Sequence, residues 1–323
     1  MRIIAGMVMA LLLLVFAAAG VSVYLYKNTR SATQTTLMLP PGTGVRALLS
    51  QLHAQGLAPA PLLTVLPLLM NVDYHTLQAG EYDFAAGSTP AQVVAKIARG
   101  EVVVHKITIP EGWNSAQVRA ALLAEPLLTG DLPAVIAEGS LLPDTLHFAR
   151  GEARANVLAR MQKAQADLLA AVWPMRAADL PVTTPQQAVI LASVIEKETG
   201  LKDERAQVAG VFVNRLRRGM MLQSDPTVVY GIEAAQGHVP MGRALSRGDL
   251  QRDTHYNSYL RAGLPPTPIC NPGRAAIIAA LHPAATDALY FVATAKGGHR
   301  FAATLQEHEA NVALYRAMQR AAP

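Results

Sequence analysis

The chain has 323 residues, a formal net charge of +5, 51% apolar residues and 16% charged residues. That balance is too apolar for a disordered chain and suits one apolar segment plus one or two folded domains. A single cysteine, Cys270, excludes an intrachain disulfide and cysteine-built zinc sites, and the dispersed basic residues, without a recognition-helix, RNP or finger pattern, argue against nucleic acid.

Residues Ile3 to Tyr26 carry no charge, and Lys27 and Arg30 follow. At about 1.5 Å per residue such a helix crosses a hydrocarbon core of about 30 Å. Ala17-Ala18-Ala19 resembles a signal-peptide cleavage site, but the apolar run continues through Val21, Val23, Tyr24, Leu25 and Tyr26. Residues 1–30 are therefore expected to form a short N-terminus and an uncleaved single-pass anchor. Arg2 and the amino terminus balance Lys27 and Arg30, so flanking charge alone does not orient the span.

Residues 31–36 read as a polar linker. A small α/β module is expected over 37–106. It has a short strand at Thr36–Leu39, a helix at Val45–Leu52, an alternating strand at Ala79–Phe84, a helix capped by Thr89 with Pro90 in its first turn, and a strand from Val102 to Ile109. A larger mixed α/β domain is expected over 107–323. It opens with helices and loops, continues in helices Pro185–Thr199 and Asp203–Arg217, becomes loop-rich after Gly219, and ends in a strand at Leu289–Thr294 and a helix at His308–Arg320. The fold class is α+β, with an N-terminal transmembrane helix.

The run Gln187-Ala188-Val189-Ile190-Leu191-Ala192-Ser193-Val194-Ile195-Glu196-Lys197-Glu198-Thr199 is the most informative stretch. At about 100° per residue, Glu198 falls on the apolar stripe of Leu191, Val194 and Ile195, while Glu196 lies nearly opposite. A carboxyl on an apolar face has a raised pKa, which a general acid requires. Helical phase alone leaves another reading open, in which Arg205 or Arg215 pairs with a buried, structural Glu198. Downstream, Gln223, Asp225, Thr227, Tyr256, Asn257, Tyr259 and Asn271 sit among rigid turns, with Asp225-Pro226-Thr227 itself read as a turn. Amides and tyrosines of this kind suit sugar hydroxyl and acetamido groups. His299, after Gly297-Gly298, is a further candidate substrate contact.

Ala192-Ser193-x-x-Glu196-Lys197-Glu198-Thr199, Asn214-Arg215-Leu216, Leu222-Gln223-x-Asp225-Pro226-Thr227, Tyr256-Asn257-x-Tyr259, Gly263-Leu264-Pro265-Pro266 and Asn271-Pro272-Gly273 follow one another in order. This ordered set resembles the YceG-like family of endolytic murein transglycosylases. Ile109-Pro110-Glu111-Gly112, Pro143-Asp144-Thr145, His282-Pro283 and Gly297-Gly298-His299 extend the resemblance along the chain, which departs from the family habit at Leu146 and Met221. The resemblance implies a LysM-like module over 37–106, a catalytic domain over 107–323 and Glu198 as the catalytic residue. It implies an inner-membrane protein with its catalytic domain in the periplasm and peptidoglycan glycan strands as substrate; neither cofactor nor metal is expected. It also implies penicillin-binding synthases as partners.

The activity so implied is lytic cleavage of the MurNAc–GlcNAc β-1,4 bond of nascent strands, leaving a 1,6-anhydro-MurNAc end and limiting strand length. Two other readings stay open: a muramidase that hydrolyses the same bond, with Asp225 as a second carboxylate, and a non-catalytic wall-binding scaffold. A nucleophile enzyme built on Ser193 or Cys270 lacks the accompanying signature. The nine histidines show no His-Glu-x-x-His spacing for a metal.

Overall fold

The structure is a computed structural model that describes residues 2–71, 77–294 and 297–321. It is mixed α/β and divides into two compact units. One comprises Met1–Lys106 with His147–Glu152, and the other Ile107–Leu146 with Ala153–Pro323.

The smaller unit begins with α1 (Arg2–Asn28), a helix long and apolar enough to cross a membrane. Strand β1 (Thr35–Leu39) pairs antiparallel with β2 (Gly80–Phe84), with Leu37 opposite Tyr82. Between them lie α2 (Val45–Ala54) and α3 (Pro61–Asn71), and α4 (Pro90–Ala98) follows. The core is built by period: Leu37 and Leu39 point inward from β1, Leu48, Leu49 and Leu52 from α2, and Val93, Val94 and Ile97 from α4. Thr89 caps α4 in a reciprocal capping box with Gln92, as its sequence predicts. The stretch 31–36, expected as a linker, is in part structure. Thr35 and Thr36 belong to β1, and Ser31 exchanges backbone hydrogen bonds with Gly87 and Ser88. Sequence reading missed α3 altogether.

Strand β3 (Val104–Thr108) pairs with β4 (Thr145–Ala149), and each strand passes from one unit into the other. In the smaller unit, Glu81 accepts hydrogen bonds from Arg150 at 3.0 Å and His105 at 2.7 Å. These hold its carboxyl below the usual glutamate range, the Arg150 bond contributing most.

The larger unit is organised around α7 (Pro185–Glu198). Residues Ala188 to Ile195 are all buried. Helices α8 (Arg205–Arg217) and α10 (Arg274–Leu281) pack along it, and α5 (Ser115–Ala124), α6 (Arg154–Val172) and α9 (Asp225–Ala235) complete the helical layer. Gly210 permits the close approach of α8 to the following chain, because a Cβ there would stand 2.7 Å from the Ala284 carbonyl oxygen. Strands β5 (Tyr290–Ala293) and β6 (His299–Ala302) form a hairpin with Phe291 opposite Phe301, and α11 (Leu305–Ala321) closes the described chain.

Beyond Gly219 the chain is more regular than its turn-forming composition suggests. Asp225-Pro226-Thr227 is the first turn of α9 and not a free turn, since proline at the start of a helix costs no hydrogen bond. Helix α10 follows Gly273 directly. The final helix begins three residues before the expected His308, at Leu305.

Candidate active site

Helix α7 starts at Thr184, whose side chain accepts the Gln187 N–H, with Pro185 in the first turn. It ends at Glu198, so a rigid, buried helix carries this carboxyl to the rim of a cleft. The cleft has a volume of about 410 Å³ and is lined by Glu198, Arg215, Gln223, Asp225, Tyr259 and Tyr290, among others.

Ser224 Oγ donates a hydrogen bond to Glu198 Oε1. Ser224 is in turn fixed from behind: its N–H donates to Ser258 Oγ at 3.0 Å and its carbonyl accepts from Thr227 Oγ1 at 2.6 Å. Burial is the main force on the Glu198 carboxyl and pushes its pKa up. The Ser224 bond opposes that shift, the neighbouring Asp225 charge adds to it, and the charges of His299 and Arg215 pull it back.

Two other glutamates also have raised pKa values through burial, Glu138 and Glu196, but both are occupied. Glu196 accepts from Arg205 at 3.3 Å and from the Gly273 N–H at 3.0 Å. Glu138 receives the Ser115 N–H and hydroxyl, the Asn271 amide and the Tyr230 hydroxyl. Among the described residues, Ser224 is the one hydrogen-bond partner of Glu198.

The expectation that Glu196 points away from the core is corrected here. Its side chain is 6% exposed, because Arg205 and the loop at Gly273 cover the side of α7 on which it stands, and solvent reaches this end of the helix at Lys197 instead. Of the two arginines suggested as partners for Glu198, Arg205 is instead the partner of Glu196. Arg215 is spent on carbonyls, donating to Leu289 O at 2.6 Å and Leu222 O at 2.8 Å, and its guanidinium lies over the Tyr290 ring.

The other expected site residues separate into three groups. Gln223, Asp225 and Tyr259 line the cleft with Glu198. Gln223 adopts a left-handed backbone, φ 49°, at the turn before α9, with its N–H donating to Ser258 O at 3.0 Å. Tyr259 donates to Asp225 Oδ1 at 2.6 Å, and burial, then that carboxylate, raises the phenol pKa. Asp225 also lines a second cleft of about 440 Å³, with Lys197, Tyr230 and Arg243.

Thr227, Asn257 and Asn271 lie behind these walls, each 0% exposed. Asn257 Nδ2 donates to Leu250 O and Arg252 O, and Asn271 joins Trp113 O, Ser115 and the Leu141 N–H. They shape the loops and do not reach solvent. Tyr256 donates to or accepts from Thr267 at 2.8 Å and meets Tyr230 edge to face. His299 is held by Glu204, side chain to side chain at 2.7 Å and N–H to Oε1 at 2.8 Å. Burial raises the Glu204 carboxyl, but the His299 bonds outweigh it and leave the pKa lowered.

Ser193 and Cys270 are both 0% exposed and engaged with each other's segments, Ser193 Oγ accepting the Ile269 N–H and Cys270 Sγ reaching Ser193 O. Burial pushes the Cys270 thiol far from the reactive thiolate. Among the described residues no three His, Cys, Asp or Glu side chains gather as a metal-ligand set. Sequence reasoning did not assign Ser224, Tyr290 or His308 to the cleft. Ser224 lies inside the Gln223-to-Thr227 run, where its neighbour-to-neighbour placement between two expected contacts was the available signal.

The model of the YceG-like family matches residues 37–314. An endolytic murein transglycosylase of Bacillus subtilis (strain 168) is 31% identical over 262 residues, which cover 72% of this chain and 71% of that protein. The endolytic murein transglycosylase of Streptococcus pneumoniae serotype 2 is 27% identical over 333 residues, covering 88% of this chain and 59% of the longer pneumococcal protein. A YceG-like protein of Listeria monocytogenes with a 2.6 Å crystal structure superposes with a TM-score of 0.52 at 28% identity, covering 87% of this chain and 99% of that one. With the family match running through both units and the Bacillus relative 31% identical over most of both chains, the chain belongs to the YceG-like family.

Proposed function

We propose that this chain is an endolytic lytic transglycosylase that cuts the MurNAc–GlcNAc β-1,4 bond of peptidoglycan strands. The observation that carries this reading is Glu198: a carboxyl with a raised pKa, at the end of a rigid buried helix, facing a cleft with one oxygen held by Ser224. A protonated carboxyl of this kind delivers its proton to the glycosidic oxygen. The resulting carboxylate then takes the proton of the muramic C6 hydroxyl as that oxygen attacks C1. The bond to the leaving glucosamine breaks, a 1,6-anhydro end forms and no water is consumed.

Gln223, Asp225 and Tyr259 bind the sugars beside Glu198. Helix α1 anchors the chain in the plasma membrane with the catalytic domain, residues 107–323, on its outer, periplasmic side, and residues 37–106 serve as a LysM-like glycan-binding module. Confinement near the membrane directs cutting to nascent strands and so limits their length, alongside penicillin-binding synthases.

Asp225 shares the cleft wall with Glu198, which keeps a second reading in view: a muramidase in which Asp225 assists water. Mass analysis of products from purified peptidoglycan separates the two. Anhydro-muropeptides from wild type, lost by about 100-fold or more in Glu198→Gln with the fold intact, support the proposal. Reducing ends from wild type indicate the hydrolase. Continued release of anhydro ends by Glu198→Gln removes Glu198 from its assigned role.

A further inference from the structure

The smaller unit has an apolar surface that its own core does not use. On α3, Thr64 and Leu68 turn inward and are 0% exposed. Leu62, Leu66 and Leu69 turn outward, at 84%, 43% and 52% exposure. Their spacing places them on one face of the helix. A helix at a protein surface ordinarily opposes its apolar face with charge. Here no Asp, Glu, Lys or Arg occurs between Arg46 and Asp73. Helix α3 therefore has two apolar faces, and the smaller unit, through α1, α2 and α4, supplies a partner for one of them.

Its position identifies the second partner. Helix α3 packs against α1, where Ser22 and Tyr26 are buried at 5% and 2% exposure, while residues from Ile3 to Phe16 stand open. Ser22 Oγ donates to the Leu63 carbonyl, tying the two helices together. The uncharged run Ile3–Tyr26 spans about 36 Å as a helix, against about 30 Å of hydrocarbon. The excess of about 6 Å puts its last turns, where α3 docks, in the headgroup layer at the lipid boundary.

We infer that α3 is a membrane-interface helix, with Leu62, Leu66 and Leu69 entering the lipid beside the end of α1. The smaller unit is then seated on the bilayer along a helix face, in addition to being attached through the anchor. The inference rests on reading α1 as a membrane span.

The test uses the full chain, with the buried Cys270 replaced by alanine, in liposomes of phosphatidylethanolamine and phosphatidylglycerol. Nitroxide labels are placed singly through Leu62→Cys, Leu66→Cys and Leu69→Cys. Leu12→Cys on the exposed part of α1 serves as the lipid reference and Met38→Cys on β1 as the water reference. Accessibility to oxygen and to a water-soluble nickel chelate is read from power saturation. The expected result is an oxygen-to-nickel ratio at the three leucine positions several-fold above that at Met38 and approaching that at Leu12. Ratios equal to that at Met38, with Leu12 in lipid, overturn the inference and leave the anchor standing. Shielding of the three labels from both reagents indicates a protein partner, such as a second copy of the chain, and also overturns it. A water-like ratio at Leu12 overturns the anchor reading and the inference with it.

Discussion

Ser224 and Glu198 are 26 residues apart in sequence and meet in one hydrogen bond, hydroxyl to Oε1, at the rim of the cleft. The bond leaves Glu198 Oε2 as the oxygen to carry the transferable proton. It also opposes the upward pKa shift that burial imposes. Removing the donor in Ser224→Ala is expected to lower kcat about tenfold, the scale of one hydrogen bond to a charged group, with little change in KM. The alkaline limb of the pH–rate profile should move to higher pH, because the variant holds its proton more tightly. A purely structural serine would reduce the amount of folded enzyme without moving that limb.

Asp225 acts on the same carboxyl in the opposite sense. Its charge raises the Glu198 pKa. In Asp225→Asn, Glu198 ionises at lower pH, so the alkaline limb is expected to move down. The Tyr259 hydroxyl keeps a side-chain oxygen to donate to, so the cleft wall survives. Rate profiles of the two variants, shifted in opposite directions about wild type, are the readout. Shifts in the same direction would break the account of how this pKa is set.

A raised carboxyl pKa costs stability on a predictable side of the pH scale. The contribution of Glu198 is fully present below the unfolded glutamate pKa, where both states are protonated, and is lost as pH rises to the higher folded pKa. Glu198→Gln has no charge to bury. Its Tm is expected to equal that of wild type in acid and to exceed it increasingly above the ordinary glutamate range. A calorimetric series across pH checks the crossing. A uniform offset at every pH would mean that the substitution acts through packing and not through ionisation.

Glu196 should behave as a structural residue, although it stands two positions from Glu198. Glu196→Ala leaves the Arg205 guanidinium, whose side chain is 8% exposed, with Glu111 at 3.6 Å as its one remaining acidic partner among the described residues. Breaking a buried pair by removing one partner costs about 3–5 kcal/mol. Denaturant titration should show that loss, while the kcat of the remaining folded enzyme stays close to wild type. Loss of kcat at unchanged stability would assign Glu196 to the chemistry.

The core strands and the capped helices were legible because each has a short-range cause. The alternation of β1 and β2 and the Thr89 and Thr184 caps are local signals. The phase of Glu198 was legible as well, since it requires only that one side of α7 face other elements. The same argument failed for Glu196, because period reports an amphipathic face, whereas Ala188 to Ile195 of α7 are buried all round and Glu196 is covered by Arg205 and the loop at Gly273. Helices α9 and α10 were hidden by proline and glycine, which read as turns in isolation but here start helices. Asn257 and Asn271 have side chains equally suited to sugars and to buried carbonyls, and only the tertiary placement shows that they face carbonyls. Ser224 became visible only when Glu198 arrived beside it from a distant helix.

Tyr26 belongs to the transmembrane candidate by sequence and to the hydrophobic core of the smaller unit by packing. Any soluble fragment designed by cutting at the end of the apolar run removes a core residue along with the membrane segment. Such a fragment keeps the larger unit's residues but opens a tyrosine-sized void beneath α3 and α4, so a boundary drawn for expression is not neutral. A fragment beginning before Ser22 retains the full packing set of the smaller unit, at the cost of carrying exposed apolar helix into solution.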